Sequence, residues 1–221
     1  PNEDLEAYPR DFEKDSALVR ELGGDVLYAP EPENMYAPDH ATWVEVPALA
    51  NTLCGLSRPI HFRGVCTVVL KLFMLAQPSL AVFGEKDWQQ LAIIKKMVSD
   101  LNVPVEVVGR PIVREADGLA LSSRNVYLTP EERAQAPQIR KSLEMAAGLA
   151  AGGERDAARI IEAVRGYLAE HLPTGEEDYI SIVDPAVLTK VDRIKDMALC
   201  ALAIRLGKAR LIDNILLKVG E

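Results

Sequence analysis

The 221-residue chain is poor in the residues that mark several common functional classes. Its three cysteines, Cys54, Cys66 and Cys200, are far apart and odd in number, so they offer neither a CxxC pair nor a disulfide framework. Cys66 and Cys200 lie inside apolar runs and read as buried thiols, which makes a reducing, cytoplasmic setting the expected one. The three histidines have no metal-ligand spacing with each other or with cysteine, which argues against a protein-held zinc. The longest apolar stretch, residues 65–76, is broken by Lys71 and is shorter than the roughly 20 residues of a membrane span. No signal-peptide pattern is present, and no membrane partner is expected. A net charge of −8 argues against a broad nucleic-acid surface but leaves room for a local cationic pocket. There is no Walker A sequence, no GxGxxG and no GxSxG, so P-loop, classical dinucleotide and α/β-hydrolase readings drop away. An initiator Met is also lacking: Pro1-Asn2-Glu3-Asp4 reads like the interior of a longer protein, and the chain is expected to be incomplete at its N-terminus.

What is present reads as helices alternating with strands. Residues 11–22 place Phe12, Leu18, Val19 and Leu22 on one helical face, stopped by Gly23-Gly24. Residues 26–29 read as a buried strand, 31–39 as a loop and 42–46 as a strand, and Pro47 opens a short helix through Cys54. A polar turn over 56–63 leads into a helix from Gly64 to about Gln77, apolar on most faces and so expected to be buried. Residues 80–83 form a strand, Gly84 a turn, and 87–101 a helix with Leu91, Ile94, Val98 and Leu101 in register. Residues 103–108 are nearly continuous in Val, as parallel strands covered on both faces are. This predicts an α/β fold, a Rossmann-like doubly wound parallel sheet over residues 1–112, with its ligand site at the carboxyl ends of the strands.

Beyond Pro111 the pattern changes to a smaller α+β C-terminal domain, residues 113–221. Thr129-Pro130-Glu131-Glu132 is a capped helix start, Pro137 can kink that helix, and Gly152-Gly153 ends it. A further helix over 154–171 precedes strands at 179–183, 197–206 and 209–215, the last two joined by a hairpin turn at Gly207-Lys208.

Three clusters can carry chemistry. Phe83-Gly84-Glu85-Lys86-Asp87 places a permissive glycine, a cation and a capping acid between a strand and a helix, where anions bind. By position alone Lys86 and Asp87 fit a solvated charge pair equally well. Gln90, one turn on, can face the same cleft as Lys86, and a solvent-exposed glutamine fits the position equally well. Ser122-Ser123-Arg124-Asn125 packs two hydroxyls, a guanidinium and an amide into four residues, a dense donor set for phosphate that also reads as a polar turn. Arg58 and His61-Phe62-Arg63 set cations ahead of the long helix, either for a carboxylate or phosphate or merely solvated.

Taken together, Phe83-Gly84-Glu85-Lys86-Asp87-Trp88-Gln89-Gln90-Leu91, Asp117-Gly118-Leu119-Ala120-Leu121-Ser122-Ser123-Arg124-Asn125, Arg58-Pro59-Ile60-His61-Phe62-Arg63-Gly64-Val65 and Arg210-Leu211-Ile212-Asp213-Asn214 closely resemble the pantothenate synthetase (pantoate–β-alanine ligase) family over essentially the whole chain. The resemblance implies ATP-dependent condensation of pantoate with β-alanine through a pantoyl adenylate, with release of pyrophosphate and AMP, by a homodimer of the nucleotidyltransferase superfamily. It assigns the nucleotide to Gly84, Glu85, Lys86, Asp87, Val113, Leu121, Ser122, Ser123 and Arg124, and catalysis to Lys86 with Ser122, Ser123 and Arg124. It assigns substrate contacts to Gln90, Tyr8, His61 and Arg58. Magnesium is implied mainly on the nucleotide phosphates, with Asp15 as an acidic position near it; Lys14 stands where an acid is often found. Leu121 replaces a common Met. The family's His-x-Gly-His and Asn-Pro-x-Gln-Phe segments do not occur here, and the expectation is that the 221 residues alone have little ligase activity. Two alternatives remain: another nucleotidyl transferase of the superfamily, or a non-catalytic binding or scaffolding fragment of such a protein.

Overall fold

The computed structural model describes residues 11–220, which fall into two compact units divided between Thr42 and Trp43. In the first, α1 (Phe12–Glu21) starts at Asp11, whose carboxylate accepts from the Lys14 amide at 3.0 Å. It ends as expected, with the Gly23 and Gly24 amides donating to Arg20 and Val19 carbonyls. Two expectations fail nearby. Residues 26–29 are irregular and Val26 is 84% exposed, while the stretch expected to be all loop contains α2 (Pro32–Met35). An apolar run needs a neighbouring strand to take its backbone groups before it becomes a strand, and among the described residues none pairs with 26–29. Residues 42–46, expected as a strand, are irregular for the same reason.

In the second unit the helix expected from Pro47 splits into α3 (Pro47–Ala50) and α4 (Cys54–Ser57). The break is at Leu53, whose φ of 45° is unusual for a branched residue. The buried Gln89 side chain holds it there. Its amide donates to the Leu49 and Thr52 carbonyls at 2.9 and 2.7 Å and accepts from the Cys54 amide at 3.0 Å. The two short helices are pressed so close that a Cβ on Gly55 would sit 1.6 Å from the Ala50 carbonyl oxygen. Gly55→Ala is therefore expected to destabilise the protein by about 2 kcal/mol, read as a lower denaturant midpoint at unchanged slope.

The long helix α5 (His61–Ala76) begins three residues earlier than Gly64 and ends at a left-handed Gln77. It is not buried all round: Phe62, Cys66, Thr67 and Phe73 face inward while Met74 and Leu75 are exposed. Next come β1 (Leu80–Gly84), a 3-10 turn (Glu85–Asp87), α6 (Trp88–Asp100) and β2 (Glu106–Arg110). β1 and β2 are parallel, Leu80 opposite Glu106 and Gly84 opposite Arg110. This is the βαβ geometry that the alternation predicts, with α6 as the crossover.

A looped segment then leads through a second 3-10 turn (Ser123–Tyr127) to α7 (Pro130–Gln135), α8 (Gln138–Ala151) and α9 (Ala157–His171). The Thr129–Glu132 capping box forms, and Pro137 separates α7 from α8. An antiparallel sheet of order β3 (Gly175–Val183), β4 (Met197–Leu206), β5 (Ala209–Lys218) completes the chain, and Gly207 turns the β4–β5 hairpin at φ +55°.

This sheet is covered on both faces. Ala198, Cys200, Leu202 and Ile204 of β4 join α8 and α9 in one core, whereas Leu199 and Ala201 join α5 and α6 in another. Successive strand residues point to opposite faces, so β4 is buried continuously from Ala198 to Ile204 and shows no alternation in sequence. Burial raises the Cys66 thiol to about 11 and Cys200 to about 12, as expected of inert interior cysteines.

Candidate active site

The carboxyl end of β1 opens onto a narrow cleft with about 40 Å³ of free room. Three stretches expected to carry chemistry meet there: Arg58 and His61 from the entry to α5, Lys86 and Asp87 from the 3-10 turn, and Gln90 from the first turn of α6. Lys86 also lines a second, very tight recess of about 10 Å³, shared with Ser122. Of the Ser/Arg loop Ser122 alone reaches that recess; Ser123 and Arg124 line neither of the two. None of the ion pairs among the described residues involves Lys86, so its charge is available to an incoming anion. A larger groove runs along α6 past Trp88 to Pro185–Thr189, but its walls are mostly apolar and Glu85 is the one candidate on it.

Some expected roles are corrected. Asp87 makes no side-chain cap to α6; it faces the cleft instead. Gly84 has an ordinary extended backbone, φ −76°, so no sharp turn demands glycine. The space its missing Cβ would fill is open, which leaves β1's end approachable. Glu85 turns its side chain toward Gly109 and the apolar groove. Asn125, counted among the phosphate donors, spends its amide on Glu115 at 2.6 Å and the Ala120 carbonyl at 3.2 Å. Arg63 is engaged over the Trp43 ring, 4.9 Å from its centroid, and with Glu45.

The Ser/Arg loop is held firmly. Arg133 bridges Glu115 and Asp117, each at 2.6 Å, and Arg114 pairs across the loop with Ala120. The Leu121 amide donates to the Val113 carbonyl at 2.9 Å, setting those two exposed apolar side chains on one short ladder. Ser122 Oγ accepts from the Arg124 amide and so caps the 3-10 turn that carries Ser123 and Arg124. Asp15 lies exposed on α1 in the first unit, and Tyr8 falls outside the described residues.

Cys54, Tyr179 and Arg210 also line the cleft, and of these only Arg210 stood in a motif singled out from sequence. Arg210 on β5 donates to Asp178 on β3 at 2.7 and 3.0 Å, and Ser57 donates to the same carboxylate at 2.9 Å. Burial pushes the Asp178 carboxyl up, but the Arg210 and Ser57 hydrogen bonds and the charges of Arg210 and Arg205 outweigh it and hold it below the ordinary range. Cys54 Sγ lies 3.2 Å from Tyr179 Oη and 3.6 Å from the Arg210 guanidinium. Burial first, then the Cys54 neighbour, raises the Tyr179 hydroxyl well above its usual value, so it stays protonated. The Asp178 carboxylate is thus held between the Arg210 and Arg205 guanidiniums, with the protonated Tyr179 hydroxyl beside Arg210.

Against known families, the profile described as pantoate-beta-alanine ligase matches residues 1–216. The chain belongs to the pantoate–β-alanine ligase family. Among curated members, the pantothenate synthetase of Nitratidesulfovibrio vulgaris (strain DSM 19637 / Miyazaki F) is 65% identical over all of this chain and 78% of its own length. That of Desulfovibrio desulfuricans (strain ATCC 27774 / DSM 6949 / MB) is 63% identical over 98% of the chain and 77% of the relative. The solved pantothenate synthetase of Thermus thermophilus superposes with a TM-score of 0.93 at 47% identity, covering 97% of this chain and 78% of that one. A Francisella tularensis pantoate-beta-alanine ligase complexed with beta-gamma ATP and beta-alanine superposes with a TM-score of 0.74 at 30% identity, covering 96% and 72%. The family's Rossmann-like α/β fold with a smaller C-terminal part is the fold seen here.

Proposed function

We propose that the protein joins pantoate to β-alanine with ATP in two steps. In the first, a pantoate carboxylate oxygen attacks the α-phosphorus of ATP and pyrophosphate leaves. In the second, the β-alanine amine attacks the acyl carbon of the pantoyl adenylate, AMP leaves with the bonding electrons, and the nitrogen gives up a proton. The observation that carries this reading is the position of Lys86, an uncompensated cation at the end of β1 that lines both recesses.

In this reading Lys86 and the Ser122, Ser123 and Arg124 donors hold the triphosphate from two sides and stabilise the charge that builds as pyrophosphate departs. Val113 and Leu121 offer the nucleotide an apolar edge beside that loop. Gln90, Arg58 and His61 hold the acid substrate on the other side of Lys86. Among the described residues no three His, Cys, Asp or Glu side chains come together as a metal would need, so no step is routed through a protein-held cation. Magnesium belongs to this reading as part of the nucleotide substrate. The homodimer is carried in the proposal on family grounds, and the domain division at 112/113 on the change of sequence pattern past Pro111. No helix among the described residues is long and apolar enough to cross a membrane.

Isotope exchange between pyrophosphate and ATP tests the first step in the full-length protein. Exchange is expected only when pantoate is present, and β-alanine is expected to convert the exchange-competent complex to pantothenate with one AMP per ATP. Exchange without pantoate, or ADP as the product, would overturn the reading.

A further inference from the structure

Two neighbouring residues of β5 tie both halves of the proposed phosphate grip to one strand. Asp213 and Asn214 are buried, at 3% and 6% exposure, and as successive strand residues they point to opposite faces. Asn214 donates both amide hydrogens to the Glu85 and Lys86 carbonyls, each at 3.0 Å. Those are the backbone groups of the 3-10 turn from which the Lys86 side chain departs. Asp213 takes the Arg114 guanidinium in a two-point pair at 2.7 and 2.9 Å. Arg114 also donates to the Gly118 carbonyl at 3.0 Å and pairs with Ala120, so this pair fixes the base of the loop that presents Ser122–Arg124. The Asp213 carboxylate further accepts the Asn214 amide at 2.8 Å, locking the two anchors to each other. Neither anchor is needed to close the β4–β5 ladder, which runs unbroken through both positions on backbone bonds.

We propose that Asp213 and Asn214 are positioning residues which set Lys86 and the Ser122–Arg124 loop at a fixed separation before ATP arrives. The proposal rests on the reading of those two elements as the phosphate grip. Two peptide carbonyls held by one side-chain amide leave the Lys86 turn little freedom to swing, and a two-point Arg–carboxylate pair resists rotation in the same way. Pre-set geometry of this kind accelerates the chemical step rather than ground-state binding.

Double-mutant cycles in pantoate-dependent pyrophosphate exchange test it. Asn214→Ala is expected to lower kcat about tenfold, with pantoate KM changed less than about twofold. In a Lys86→Ala background the same change is expected to lower kcat less than about twofold, because its effect passes through Lys86. Arg114→Lys keeps the buried positive charge but loses the fork; it is expected to cost about fivefold alone and less than about twofold in an Arg124→Ala background. Multiplicative losses in both cycles would overturn the proposal and leave the residues purely structural. Coupling in the Asn214 cycle alone would overturn the Asp213 half. A full exchange rate in Lys86→Ala would instead overturn the phosphate grip itself, whereas a crippled Lys86→Ala beside a normal Asn214→Ala would overturn only the positioning role.

Discussion

Lys86→Ala is expected to depress pantoate-dependent pyrophosphate exchange by about 10²–10³-fold while changing the melting temperature by no more than about 2 °C. The rate loss follows from the lysine's place between two recesses, with no carboxylate of the described residues paired to it. In a partly water-excluded cleft, a preorganised cation facing developing negative charge acts mainly on the transition state. The stability change is small because the side chain is only partly buried and makes no ion pair to lose, and its turn is fastened by backbone carbonyls held from Asn214. Stopped-flow or exchange kinetics on a variant with wild-type thermal unfolding separates the two. Near-normal exchange in a well-folded variant would refute the role.

Asp178→Asn is expected to cost about 3 kcal/mol at neutral pH, because it leaves the Arg210 guanidinium in the cleft floor without its carboxylate. Its pH dependence is diagnostic. The folded-state carboxyl of Asp178 lies below its ordinary value, so the unfolded chain takes up the proton first as pH falls. The stabilisation is fully present above the unfolded value of about 4 and disappears as pH drops through the lower folded value. The gap in melting temperature between wild type and variant should therefore be widest at about pH 7 and close below about pH 4. A gap that persists undiminished into acid would show that the carboxylate's charge contributes nothing.

Much of the site was legible because its parts are local. The strand, turn and helix around Lys86 occupy consecutive residues, and their periodicity and polarity can be read in one window. The same holds for the Ser122–Arg124 loop, bounded by a turn signal and a capping box. Of the floor of the cleft only Arg210 stood in a recognisable motif, and its partners were not legible. Cys54, Asp178, Tyr179 and Arg210 are ordinary strand or short-helix residues until β3 and β5 bring them together over more than a hundred positions of sequence. Asn214 and Asp213 share the Arg210–Asn214 motif, but only the fold shows that one holds the Lys86 turn and the other the Arg114 loop. Asn125 illustrates the reverse error. An amide beside a site reads as a ligand donor, yet its hydrogens are taken by Glu115 and the Ala120 carbonyl, a pairing that only the folded loop creates. Residues 26–29 and 42–46 failed as strands for a related reason: apolar composition reports a wish for burial, whereas a strand requires a partner's hydrogen bonds.

The double cover of β4 has a consequence for how the second unit comes apart. Its central strand is the shared wall of both cores, so neither core can open without stripping one side of the other. Independent melting of the two halves is expected to be suppressed, so that residues 43–220 should unfold together. Amide protons along Ala198–Ile204 then exchange with solvent only through global unfolding.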